Sequence, residues 1–404
     1  MTSQAKINVV GAGIMGLSTA WALHCRGAKV QVFEQGPVPN PKGSSVDESR
    51  LIRYPYGAEL GYTKMVIEAF AAWNRLFDNL ETYAPGERLY HETGSLVLDT
   101  AAADGRGENG GSGLSGGSGS AGSGSQWAIE ARKCLDAVDI PYQDLTGAQC
   151  ADLVPNLRPD IVLDAFYQPS GGVLNAGRIV ELTAHYLMRQ GVGIHPHRQV
   201  HDADIDTGTV RFADGTEEAA DAVVVAAGPW VGRLLPLLNN RVTPSRQMVV
   251  YVDLDARELA AWQRAPMLLD IDPEHGFYTV PPVTSDRLKI GDHKFTMTGD
   301  PDDDREVVRE QAETVLHWAG KRVAGLGPDR LNAAKACFYT VQPDERFVVE
   351  PIGKAGFVMS GFSGHGFKFG ALMGETMAQL VLGDKQAREA RAVARWAAGL
   401  AVAA

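Results

Sequence analysis

Three glycines near the start, Gly11, Gly13 and Gly16, stand in a Gly-x-Gly-x-x-Gly spacing, and an acid, Glu34, follows 18 residues after the last of them. An apolar stretch at 7–10 precedes the glycines, residues 15–26 carry a helical pattern, and 29–34 reads as a second strand ending in the acid. In that setting the first glycine makes a tight turn, the second lets a pyrophosphate approach the backbone, and the third lets helix and strand pack closely. The helix start offers free N–H groups and a partial positive charge to the phosphates. Glu34 is placed to accept a hydrogen bond from a ribose hydroxyl. A mere tight turn is the bland alternative; strand, helix and acid together favour a dinucleotide site.

The fingerprint alone does not separate a nicotinamide from a flavin dinucleotide. Two later pieces do. A near-continuous apolar strand at 221–227 runs into Ala227-Gly228-Pro229 about 200 residues on, and a glycine-rich run, GFSGHGFK, occupies 361–368. FAD is long and needs a second anchoring point near its ring. The positive end of a helix at 371–382 can stabilise the negative charge a reduced flavin carries.

The elements that must hold these pieces fall into two sets. Buried strands at 7–10, 29–34, 221–227 and 356–360, with their helices, make a Rossmann-like FAD-binding domain of α/β type. Short strands at 247–253, 267–271, 277–280 and 287–292, separated by turn residues such as Asp272-Pro273 and His275-Gly276, suit an antiparallel sheet. The expected organisation is α/β (α+β overall): a discontinuous FAD-binding domain over 1–86, 172–240 and 337–404, interleaved with a substrate domain over 87–171 and 241–336. Within the latter, 104–125 is almost all Gly and Ser and reads as a flexible linker, natural or introduced, that carries no chemistry.

Composition narrows the partners. The 404 residues are 45% hydrophobic and 22% charged, with a formal net charge of −11 and no run of Lys or Arg, which argues against nucleic acid or an anionic membrane surface. No apolar run approaches the roughly 20 residues of a membrane span. The first residues lack a basic leader pattern and the last carry no peroxisomal address, so neither signal is expected. Cys25, Cys134, Cys150 and Cys337 form no C-x-x-C pair, and no His stands at metal-ligand spacing, so no disulfide framework or metal site is suggested. A reducing cytoplasm is the expected location.

Four segments then carry a specific likeness: GSSVDESRLIRYPYG at 43–57, LKIGDH at 288–293, CFYTVQPDERF at 337–347 and GFSGHGFKF at 361–369. Together they resemble the monomeric sarcosine oxidase and N-methyltryptophan oxidase family, within the glycine/D-amino-acid oxidase superfamily, along nearly the whole chain. The resemblance implies FAD tethered through the sulfur of Cys337 to the flavin 8α-methyl, which requires a thiolate. A small buried hydrophobe is the ordinary fate of a lone Cys; the flanking motif favours the link.

By the same resemblance Lys289 lies by the flavin N5 and promotes reaction with O2, because a fixed cation in a dry site stabilises charge where it develops. A lysine on an edge strand would ordinarily be solvated. Arg53 and Lys368 are implied to hold the substrate carboxylate, the guanidinium gripping both oxygens, with Arg50 nearer the flavin ring. A surface helix is the alternative for two arginines three apart. Tyr278, Tyr339 and His293 are implied to line the substrate cavity or touch flavin and carboxylate. Ile14, Met15, Gln35, Ser44, Ser45, Gly364, Gly366 and Phe367 join the glycines, Glu34, Ala227 and Gly228 as expected cofactor contacts. His365 reads as structural. Asp292, where the family more usually has an aromatic residue, and Tyr54-Pro55 after Arg53 are departures that border the substrate entrance and leave the substrate open.

The expected activity is FAD-dependent oxidation of a secondary-amine amino acid to an imine, with O2 reduced to hydrogen peroxide, by a monomeric enzyme. Rivals are an oxidase of a cyclic imino acid or a bulkier N-alkyl amino acid, an amine dehydrogenase, and a non-catalytic flavin-binding module. An aromatic monooxygenase would share the fingerprint without explaining Cys337.

Overall fold

A computed structural model describes residues 4–100, 124–383 and 387–400. The strand Lys6–Val10 lies inside a six-stranded sheet whose order is Val348–Ile352, Gly356–Ser360, Ala222–Val225, Lys6–Val10, Lys29–Phe33 and Gly193–His195. Every pairing is parallel except the first. Alternate residues serve opposite faces. Ile7, Val9 and Val224 join a core with the helices Ile14–Cys25, Ala176–Arg189 and Gly370–Val381, while Val10, Val223 and Val225 pack against Val200, Phe212 and Leu238 on the other side. Both faces are covered, which is why these strands are continuously apolar.

The second sheet has eight strands, in the order Leu331–Val341, Thr243–Asp253, Arg287–Asp292, Phe277–Val280, Met267–Asp270, Ser95–Thr100, Val162–Gln168 and Gln143–Asp144. The expectation of an antiparallel sheet needs one correction: Met267–Asp270 runs parallel to Ser95–Thr100. These two strands are far apart in sequence, so no hairpin forces them antiparallel. A second core sits where the helix Arg309–Arg322 covers this sheet.

Three details bear on the site. Arg287–Asp292 is an interior strand, paired on both sides, so Lys289 is not the edge-strand lysine that solvent would take up. Arg50 opens the short strand Arg50–Ile52, which removes the surface-helix alternative for Arg50 and Arg53. The boundary expected between 336 and 337 falls within the strand Leu331–Val341, which pairs with Thr243–Asp253 on both sides of that point. The Gly/Ser segment expected to be a linker lies outside the described residues, apart from Gly124 and Ser125, which open the helix Gly124–Asp136. Among the described residues no helix is long and apolar enough to cross a membrane.

Candidate active site

The carboxyl ends of the parallel strands, where open α/β sheets bind ligands, border a cavity of about 330 Å3. Gly11, Gly13, Ile14, Met15, Glu34, Gln35, Ser44, Ser45, Arg50, Ala227, Gly228, Gly364, Gly366 and Phe367 all line it. Gly16 does not. A Cβ there would stand 1.9 Å from the Gly11 carbonyl oxygen, so this glycine serves close packing of turn and helix rather than contact with a ligand.

The cavity suits a dinucleotide on the chemistry of its walls. Gly13 opens the helix Ile14–Cys25, the Ile14 N–H donates to Ser45 Oγ at 3.0 Å, and Gly13, Ile14 and Ser45 all border the cavity. Glu34 is buried, with Oε2 accepting from the Ala12 N–H at 2.9 Å and Oε1 from the Gly36 N–H at 3.0 Å and Asn40 Nδ2 at 2.8 Å. Those bonds fix a carboxylate at the rim, where a ribose would lie. FAD would be held here by the glycine turn, the helix start, Glu34 and the Ala227-Gly228 and 364–367 loops.

A smaller cavity of about 80 Å3 adjoins the first and shares Arg50, Tyr339, Gly364 and Phe367 with it. Its walls bring together residues from all four motif segments: Arg50 and Arg53, then Lys289 and His293, then Cys337 and Tyr339, then Lys368, with Tyr278 from the neighbouring strand. Cys337 is partly accessible and unpaired. Burial raises its thiol above the ordinary value, while Arg50 and Lys289 pull the other way, so the thiol rests protonated beside two cations able to stabilise its anion. Tyr339 packs over Gly364, where a Cβ would come within 2.3 Å of the ring.

Arg53 and Lys368 do meet, and the residue between them is Tyr56. The Arg53 guanidinium carbon lies 4.8 Å and Lys368 Nζ 4.9 Å from the Tyr56 ring centroid, and Lys368 Nζ donates to the Tyr56 hydroxyl at 2.7 Å. Arg53 also donates to the Pro55 carbonyl, which gives the Tyr54-Pro55 departure a structural role. Burial, then the charge of Arg53, holds Lys368 well below the usual lysine value. Among the described residues no ion pair reaches Lys368, and its amine sits in the dry beside the Arg53 cation, where an incoming anion would favour the charged ammonium.

Lys289 is held otherwise. Its Nζ donates to Asp47 Oδ2 and, at 2.9 Å, to the Ser49 carbonyl. Arg50 donates to the same Asp47 oxygen, and the Tyr251 hydroxyl donates to the other. Burial and Arg50 lower Lys289 to about 8, with Asp47 opposing. His293 is buried and pushed down to about 4 by burial and then Arg53, so it is neutral near pH 7; its Nε2 lies 3.2 Å from the Asp270 carbonyl. His365, which also lines the small cavity, lies 3.4 Å from the Tyr56 hydroxyl and 3.0 Å from the Glu345 carbonyl.

Asp47, Tyr56 and Tyr251 were not singled out from sequence. Asp47 and Tyr56 sit inside the 43–57 motif, where an acid and an aromatic beside Arg50 and Arg53 were the available signal. Tyr251 lies in an apolar strand and gave none.

The profile for the family described as FAD dependent oxidoreductase matches residues 6–380. The chain is 27% identical over 395 residues to a monomeric sarcosine oxidase of Bacillus sp. (strain NS-129), covering 95% of each chain. It is 28% identical over 381 residues to an N-methyl-L-tryptophan oxidase of Yersinia pestis (strain Pestoides F), covering 92% of this chain and 93% of the other. Among solved structures, fructosamine oxidase (Amadoriase II) from Aspergillus fumigatus superposes with a TM-score of 0.77 at 20% identity, over 98% of this chain and 90% of that one. L-proline dehydrogenase from P. horikoshii does so with a TM-score of 0.77 at 18% identity, over 99% and 100%. At these identities the structural likeness speaks for the fold.

Proposed function

We propose, for a chain that belongs to the FAD-dependent oxidoreductase family, that it is an FAD-dependent amine oxidase acting on the CH–NH bond of a secondary-amine amino acid, with O2 reduced to hydrogen peroxide. The observation that carries this reading is the small cavity. There Arg53 and Lys368, meeting at Tyr56, line the same walls as Lys289, Arg50 and Cys337, and the larger cavity adjoins through shared residues. Relatives named sarcosine oxidase and N-methyl-L-tryptophan oxidase support the substrate class.

On this reading Arg53 and Lys368 bind the substrate carboxylate and so fix which C–H bond faces the flavin. Bound FAD supplies the acceptor for the hydride equivalent. Cys337 is the residue that would hold it covalently. His293, neutral near pH 7, offers a hydrogen bond without adding a cation. An amine bound in its neutral form needs no side-chain base to give an imine, which water then hydrolyses. Lys289 presents its ammonium where negative charge develops on oxygen. Its pairing with Asp47 favours a second reading, an amine dehydrogenase, because the carboxylate offsets part of the charge that oxygen would meet. Monomeric state and a reducing cytoplasm belong to the same proposal; a relative named monomeric and four unpaired cysteines support them.

The test is anaerobic bleaching of the holoenzyme by a panel of N-methyl and cyclic amino acids, followed by air. Bleaching with one peroxide formed per imine is expected. Bleaching that persists in air and reverses with a quinone would select the dehydrogenase. A flavin that no amine bleaches would leave only a binding module.

A further inference from the structure

A third space lies beyond the small cavity. It measures about 630 Å3 against about 80 Å3 for its neighbour, and Gln247, Asp292 and Phe295 line both. One wall is a face of the helix Arg309–Arg322, where Gln311, Thr314, Val315 and Trp318 recur at i, i+3, i+4 and i+7. Phe277 and Met248 come from the sheet opposite. The His275 ring lies flat on Trp318, with centroids 3.4 Å apart and planes 8° from parallel, giving the chamber a broad aromatic floor. Exposed Glu274, Lys294, Gln311 and Thr314 mark its outer edge.

The proportions matter. The small cavity already has to seat a carboxylate against Arg53 and Lys368 and bring a C–H bond to the flavin. It has no room for a large side chain as well. Most of the wall of the larger space is apolar, with Arg246, Glu274 and Lys294 also bordering it. The residues common to both lie against the Cys337 and Tyr339 wall: Gln247 pairs with Cys337, and the Phe295 ring centroid lies 6.4 Å from that of Tyr339. At the neck stands Asp292, a half-buried carboxyl raised to about 6 by burial, with the Lys294 charge and backbone N–H groups opposing.

The geometry points to an outer chamber that receives the side-chain arm of the substrate: the preferred substrate is a secondary-amine amino acid with a large, uncharged apolar or aromatic arm, not the smallest member of the class. This inference rests on the amine-oxidase reading and narrows it. Aromatic and aliphatic walls reward the burial of an apolar arm in proportion to the area it removes from water. Asp292 at the neck repels an arm that is itself anionic.

The experiment compares kcat/KM of the holoenzyme for N-methylglycine, N-methylalanine, N-methylleucine, N-methylphenylalanine and N-methylglutamate. It also follows binding of acetate and 3-phenylpropanoate through the visible spectrum of the bound flavin. Expected are a rise of tenfold or more from N-methylglycine to N-methylphenylalanine, a poor N-methylglutamate, and tighter binding of 3-phenylpropanoate than of acetate. Thr314→Trp, made at an exposed helix position so that folding is spared, should lower the N-methylphenylalanine to N-methylglycine ratio by tenfold or more and weaken 3-phenylpropanoate relative to acetate. Preference for N-methylglycine, or ratios untouched by Thr314→Trp, would overturn the chamber while leaving the oxidase reading intact. If no amine bleaches the flavin, the oxidase reading falls, and the two carboxylates still decide the chamber by binding alone.

Discussion

Lys289 Nζ donates to Asp47 Oδ2 in a pair whose side chains keep only 4% and 6% of their exposure. Arg50 and Tyr251 bind the same carboxylate. Burial works against the Asp47 anion, but Lys289 and Arg50 outweigh it and hold the carboxyl far below its ordinary value. The result is one buried anion shared by two cations beside Cys337. The carboxylate is what keeps Lys289 charged in a site where burial and Arg50 both favour the neutral amine.

A pH dependence follows, with a definite sign. Lys289 is lowered to about 8, so its charge is present below that pH and is lost as pH rises through it. Rapid-mixing measurement of the reoxidation of reduced enzyme by O2 should show the rate falling through that range. Asp47→Asn removes the opposing anion and should move the break to lower pH. A break that stays in place would separate Asp47 from the titration.

Lys289→Met should slow reoxidation by O2 far more than reduction by amine. One lost cation in a dry site is worth about 3 kcal/mol, or roughly two orders of magnitude in rate. Equal losses in both half-reactions would point to a defect of the fold.

Cys337→Ser should release flavin on acid or detergent denaturation, whereas the parent protein keeps it with the polypeptide. The glycine turn, the helix start and Glu34 remain, so the variant should still bind FAD without the covalent link. Free flavin in the supernatant of the denatured parent would refute the attachment.

Arg53→Ala should raise the apparent KM for an N-methyl amino acid at least about 30-fold, the equivalent of about 2 kcal/mol for truncating one partner of a buried charge contact. An amine lacking a carboxylate should hardly change. Lys368 is depressed by burial and by Arg53, so carboxylate binding should restore its charge and take up a proton. Affinity for a carboxylate inhibitor should therefore weaken as pH rises, and buffers of different ionisation enthalpy in calorimetry should reveal the uptake.

Gly16→Ala should destabilise the protein itself. Its Cβ would lie 1.9 Å from the Gly11 carbonyl oxygen. An overpacked contact of this kind costs about 1–3 kcal/mol, readable as a lower denaturant midpoint of the flavin-free chain.

The sequence by itself determined the parts that depend on local spacing. Gly11, Gly13, Gly16 and Glu34 were legible as turn, helix start and strand end because these are near neighbours in the chain, and all but Gly16 line the large cavity. Cys337, Lys289, Arg53 and Lys368 were legible because each sits in a short motif, and all four line one cavity. Tertiary structure alone decided what each cation faces. Lys289 found a carboxylate 242 positions away and Lys368 a tyrosine 312 positions away, pairings that no local pattern encodes. The long strand Leu331–Val341 escaped notice because only part of it is buried, so its alternation is weak. The parallel pairing of Ser95–Thr100 with Met267–Asp270 was invisible for a similar reason. Register between strands joined through another domain is fixed by packing of the finished core and not by any turn.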